Sequence, residues 1–259
     1  NDPVEEIAFK SHFHWSEAEE QAKQTSAFSS TRSFKDNNDW VIYQEISSPD
    51  SKKANQTALD NLMMGCSGIG FGHSTDLTTR LKDIATEFIY TDFRVKNLSE
   101  VNEVLAILPE KKDATLSCDP LTHGNQDEIT AIYSATKSVN GLRSFEIDNV
   151  VFASAGANNV QQLAIACSQV KAYFELLTEA GEDANQIADK LQIKVGIGAN
   201  YLFEIAKFRA LRLLIDNILE AYEVDAGKGI RIKAQSVFVN KSLEDPYTNL
   251  LRLTTEGMS

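Results

Sequence analysis

Gly196-Ile197-Gly198-Ala199-Asn200-Tyr201-Leu202-Phe203-Glu204-Ile205-Ala206-Lys207-Phe208-Arg209-Ala210-Leu211-Arg212-Leu213-Leu214 reads as the end of a strand that breaks at two glycines and runs into a helix. The strand is Ile193 to Ile197. In the helix, Tyr201, Ile205, Phe208, Leu211, Ile215, Ile218 and Tyr222 recur at steps of three and four, which predicts one buried stripe. Lys207, Arg212 and Asp216 fall off that stripe. A strand feeding a helix through a glycine turn is half of a βαβ unit.

Outward from this stretch the same alternation continues. Trp40 to Ile46 is a strand-like run of aromatic and β-branched residues. Asp50 or Ser51 caps a helix ended by Gly65. Ser67 to Gly72 is a strand, and Ser74 caps the next helix. Glu87 to Phe93 is a strand, followed by a helix capped by Ser99 and stopped by Pro109. Ala114 to Cys118, Gln126 to Val139 and Ser144 to Ala153 read as strand, helix, strand. The helix after Gly156 carries Val160, Leu163, Cys167, Val170, Phe174 and Leu177 on one face. Asp183 opens a short helix. Ile230 to Val239 is the last strand, and Asp245 with Pro246 opens the last helix. From Ser67 onward there are about six strands, each followed by a helix, which means a parallel sheet with crossover helices. Residues 1–38 are polar and irregular and read as an arm laid over a surface.

The chain's 259 residues are 42% hydrophobic, enough for one barrel or one large α/β domain. Its formal net charge of -12 argues against nucleic acid, which needs clustered cations, and against an anionic membrane surface. No apolar run approaches the roughly 20 residues of a spanning helix. The opening Asn1-Asp2-Pro3-Val4-Glu5-Glu6 has neither the basic start nor the apolar run of a secretion signal. Three scattered cysteines, Cys66, Cys118 and Cys167, fit a reducing cytoplasm better than a disulfide framework.

Several residues invite a chemical reading beside a plain one. His12 and His14 share a face, but no third metal ligand accompanies them, so a solvated pair is favoured. Cys118 with His123 and Asp119 has the residue types of a nucleophile, base and orienter, which would make a barrel hydrolase; nothing in the spacing makes them converge. His73 reads as a hydrogen-bonded loop residue. Gly68-x-Gly70-x-Gly72 and Gly196-x-Gly198 precede helices and offer N–H groups to a phosphate, a weak signal because such spacings are common in turns.

The opening stretch resembles the acyl-CoA mutases that use adenosylcobalamin, the methylmalonyl-CoA mutase family, through Gly196-Ile197-Gly198, Asn200 and Glu204-Ile205-Ala206-Lys207-Phe208-Arg209-Ala210. A second block is similar to the same family: Asp245-Pro246-Tyr247-Thr248-Asn249-Leu250-Leu251-Arg252, then Thr254-Thr255-Glu256-Gly257-Met258-Ser259. Trp40 and Gln44 resemble the segment by which that family's barrel begins. The resemblance implies a TIM (β/α)8-type barrel over 39–259, incomplete here and short of the last two strands. Missing strands would leave open edges for further chain to cover.

The family's catalytic positions are altered. Where its fourth strand ends in Gly-Tyr-His before Ala-Gly-Ala, this chain has Asn149, Val150 and Val151 before Ala155-Gly156-Ala157. A Gln-Asn-Asp run is replaced by Ser117-Cys118-Asp119, and Gln-Thr-Ser-Gly by Gln235-Ser236-Val237-Phe238. Val151, Gln235, Ser236 and Phe238 therefore stand as the lumen positions, with Phe238 expected to fill space that a ligand needs. The cobalt-ligand motif Asp-x-His-x-x-Gly does not occur in these residues. The resemblance thus implies a chain like the small, or β, subunit of the family's heterodimers. Such a chain is not itself catalytic and pairs with a catalytic α subunit that holds adenosylcobalamin and interconverts methylmalonyl-CoA and succinyl-CoA. A catalytically competent mutase chain is the alternative within the family.

Overall fold

The computed structural model describes residues 8, 10, 12, 14–17, 19, 40–73, 76–110, 113–122, 125–225 and 229–258. The arm expected over 1–38 lies mostly outside them. In chain order the elements are β1 (Tyr43–Ile46), α1 (Ser51–Met63), β2 (Gly68–Phe71), α2 (Leu77–Arg80), a 3-10 turn (Thr86–Phe88), β3 (Tyr90–Arg94), α3 (Leu98–Ile107), β4 (Asp113–Ser117), α4 (Gln126–Thr136), β5 (Leu142–Arg143), β6 (Phe145–Asp148), α5 (Val150–Ser154), α6 (Asn159–Glu179), α7 (Ala184–Lys190), β7 (Leu191–Ile197), α8 (Tyr201–Ala221), β8 (Arg231–Ser236) and α9 (Pro246–Met258). Among the described residues strands and helices alternate from β1 to α9, as the sequence predicts, and the strands lie in two sheets. Two compact units form: Asn37–Ile147 with Leu176–Gln192, and Asn1–Asp36 with Asp148–Glu175 and Ile193–Ser259.

Short polar side chains start the helices. Asp50 accepts from Lys53 N at 2.8 Å, Asn97 from Glu100 N at 3.0 Å and Asp183 from Gln186 N at 3.0 Å. The cap expected at Ser99 is Asn97, two residues earlier. Ser74 lies outside the described residues, and Asp76 caps α2. Asp245 accepts from Tyr247 N and Thr248 N, each at 3.1 Å, behind Pro246 in the first turn of α9.

In the first unit, five strands pair in the order β1-β2-β3-β4-β5, all in parallel. Their register sorts the side chains by face. Ile46, Phe71, Phe93 and Leu116 lie in one row, and Gln44, Ile69, Thr91 and Ala114 in the row two residues before it. This face is apolar apart from Gln44 and Thr91, and it belongs to a core that includes Ala54, Ala58, Val101, Val104, Ile129 and Ile132. The opposite face carries Tyr43, Gly68 and Tyr90 in one row and Glu45, Gly70, Asp92 and Thr115 in the next, with Ser117 beyond. It is polar, yet Asp92 is 2% exposed and Thr115 fully buried.

β6, β7 and β8 form a second sheet in that order. In the second unit, α8 buries Glu204, Lys207, Leu211, Ile215 and Leu219. Of the predicted stripe only Leu211 and Ile215 are buried; Tyr201 is exposed and Ile205, Phe208, Ile218 and Tyr222 are half-buried, while Lys207, expected to fall off it, is 2% exposed. In α6, Val170 and Phe174 are buried as expected, whereas Val160 is 50% exposed and Gln162 takes the inward place. α9 is turned the other way from most helices. Its buried residue is Glu256, while Tyr247, Leu250, Leu251 and Met258 are exposed. Among the described residues no helix is long and apolar enough to cross a membrane.

Two substitutions test this packing. Tyr133 in α4 is fully buried and its hydroxyl has no hydrogen-bond partner among the described residues. Burial, with the carboxylates of Glu182, Asp183 and Asp189, pushes its phenol up to about 12. Tyr133→Phe removes an unsatisfied polar atom and is expected to leave stability unchanged or to raise it by about 1 kcal/mol in urea unfolding; a loss of that size would contradict the packing. At Gly70 an added Cβ would sit 1.8 Å from the Tyr43 hydroxyl and 2.6 Å from its Cζ. Gly70→Ala is expected to destabilise by about 1–3 kcal/mol in urea unfolding, and by much less when it is made in a Tyr43→Ala background.

Candidate functional site

The polar face of β1–β4 is held by a connected set of side chains within the first unit. Gln192, from β7, reaches three of them. Its Nε2 donates to Glu146 Oε2 at 2.6 Å and to Tyr90 Oη at 3.0 Å, and its Oε1 accepts from Thr115 Oγ1 at 3.2 Å. Ser117 Oγ lies 2.5 Å from Asp92 Oδ1 and 2.9 Å from Glu146 Oε1, so one hydroxyl bridges two buried carboxyl groups. The Tyr43 ring packs edge-on against Tyr90, centroids 5.9 Å apart, and occupies the space over Gly70. Burial, then the carboxylates of Asp92, Glu45 and Glu146, push the Tyr43 phenol well above its ordinary value. The two glycines of β2 thus admit tyrosine rings to the face. The phosphate-cradle reading of Gly68-x-Gly70 fails for that reason: Val41 and Tyr90 close on the first and Tyr43 on the second.

The second unit has a cavity of about 320 Å³ where β7 meets α8. Small residues (Ala153, Gly156, Gly196 and Gly198) form part of its wall, and Asn158, Asn200 and Asn240 add amides. Its charged lining is Glu204 and Lys207. Lys207 Nζ lies 2.6 Å from Glu204 Oε2 and donates to Gly196 O at 2.7 Å and to Gln162 Oε1 at 3.1 Å. Two of the ammonium's three donors are met by these acceptors, while the Glu204 contact is an ion pair whose Oε2 makes no hydrogen bond among the described residues. The Lys207 side chain is 1% exposed and that of Glu204 5%, so the pair joins α6, β7 and α8 out of solvent. Gly196 is required by close approach: a Cβ there would stand 2.6 Å from Val237 Cγ1 and 2.8 Å from Ala153 Cβ. At Gly198 the nearest neighbour is the Glu204 carboxylate, which disfavours an anion beside the second glycine pair.

The lumen positions named from sequence are not brought together on an interior surface. Gln235 and Ser236 lie half-buried in β8. Phe238 follows the strand and is 76% exposed, so the space-filling role expected of it is not seen. Val151, expected in a strand, sits in the short helix α5 and is 57% exposed, because the strand stops at Asp148. Cys118 is buried, and its thiol is pushed up to about 12, first by burial and then by Glu128, Asp119 and Glu100, the opposite of what a nucleophile needs. Asp119 accepts from Thr122 Oγ1 at 2.6 Å, and His123 lies outside the described residues. His73 stands 3.5 Å from Glu100 as a loop residue, held below the usual imidazole value by burial and then by Lys96. His12 is exposed, and His14 bonds Ser16. Among the described residues no group of His, Cys, Asp and Glu could hold a metal ion.

The buried ion pair was missed by the stripe reading. Its signal was present as Glu204-x-x-Lys207, an i,i+3 spacing directly after the glycine turn.

Residues 113–259 match the family model for methylmalonyl-CoA mutase. This chain belongs to that family. It is 30% identical over 257 residues to a methylmalonyl-CoA mutase small subunit from Porphyromonas gingivalis, covering 88% of this chain and 41% of the relative. It is 24% identical to the small subunit from Streptomyces virginiae (83% of this chain, 39% of the relative) and 25% identical to that from Propionibacterium freudenreichii subsp. shermanii (82% and 37%). The chain spans about two fifths of the length of these relatives.

In this mutase-family chain, the buried pair sets a test. Lys207→Met leaves the Glu204 carboxylate without its cation and is expected to cost about 3–5 kcal/mol in urea unfolding. Adding Glu204→Leu is expected to recover most of that loss. A double variant that costs as much as the sum of the two single variants would show that the two groups are not coupled.

Proposed function

We propose that this chain is the barrel portion of a methylmalonyl-CoA mutase small subunit, built to pair with a catalytic subunit and not to turn over substrate. Residues 39–259 would form most of a TIM barrel, with the N-terminal arm of 1–38 laid on a surface. The assembly's reaction is the cobalamin-dependent interconversion of methylmalonyl-CoA and succinyl-CoA. The relatives' naming as small subunits supports the partnership.

One observation carries the non-catalytic reading. The polar face of the sheet satisfies itself: Tyr90, Asp92, Thr115, Ser117, Glu146 and Gln192 are bonded to one another, and Tyr43 covers Gly70. A pantetheine-bearing ligand would have to break these bonds and leave buried carboxyl groups short of partners, at a cost of several kcal/mol. The sequence departures point the same way. Val151 stands where the family has its thioester-polarising histidine.

The reading that this chain itself holds no adenosylcobalamin is supported by the cavity described above. The second unit's cavity of about 320 Å³ is near the lower limit of a pocket for a drug-sized molecule, well below a corrin's size, and its ammonium is committed to Glu204, Gln162 and Gly196. We place that cofactor in the partner. A reducing cytoplasm suits Cys66, Cys118 and Cys167, which are all free thiols.

Reconstitution tests the proposal. The full-length polypeptide that contains this chain is mixed with a catalytic subunit, adenosylcobalamin and methylmalonyl-CoA. A stable heterodimer on size exclusion is expected, with succinyl-CoA formed only when the catalytic subunit is present. Turnover by the isolated polypeptide would establish the competent-chain alternative instead.

A further inference from the structure

We draw no further inference here: the strongest candidate, the exposed apolar face of α9 formed by Tyr247, Leu250, Leu251 and Met258, carries nothing because nothing in the structure shows what covers it.

Discussion

A buried polar face of a sheet must answer every donor and acceptor from within the protein, and that constraint shapes the first unit. Parallel strands are usually apolar on both sides. Here one side of β1–β4 carries tyrosines, carboxyl groups, hydroxyls and two glycines, and it is nevertheless buried. An unpartnered carboxyl or amide in such a place costs kilocalories. Gln192 meets part of this need by bonding Tyr90, Thr115 and Glu146 together. Ser117 links Glu146 to Asp92. Each member is held by neighbours on other strands, so the network fixes side-chain positions as well as satisfying them.

The second unit applies the same rule with charge. Lys207 and Glu204 are held in the interior because their charges face each other and because Gly196 O and Gln162 Oε1 accept from the ammonium. Such a pair gains little over an apolar replacement, but losing one member is expensive. It ties the glycine turn after β7 to the first two turns of α8, the stretch that carries the family resemblance. On the buried face of the first unit's sheet the polar groups are directed at one another. A catalyst's interior polar groups are held ready for substrate atoms.

The fold was largely legible from the sequence because its signals are local. Asp50, Asp183 and Asp245 with Pro246 mark helix starts by chemistry acting within three residues, and the strand–helix alternation needs only periodicity. The failures involve partners distant in sequence. Lys207 looked solvent-facing because a cation off an apolar stripe usually is; its burial depends on Gln162, 45 positions away. Phe238 looked like lumen filler because it replaces a glycine, but it lies beyond the end of β8 and is exposed. Val151 looked like a strand residue because the apolar run continues through Ala153, while the strand ends at Asp148 and a helical turn follows. The polar face was hidden for a similar reason. Asp92, Ser117, Glu146 and Gln192 are scattered over a hundred residues, and side-chain hydrogen bonds between different strands join them.

Calorimetric titration of methylmalonyl-CoA into the isolated full-length polypeptide tests the self-satisfied interior most directly. The account predicts no saturable heat at ligand concentrations up to the millimolar range. A stoichiometric binding isotherm that disappears when the Tyr43–Gln192 face is mutated would contradict it.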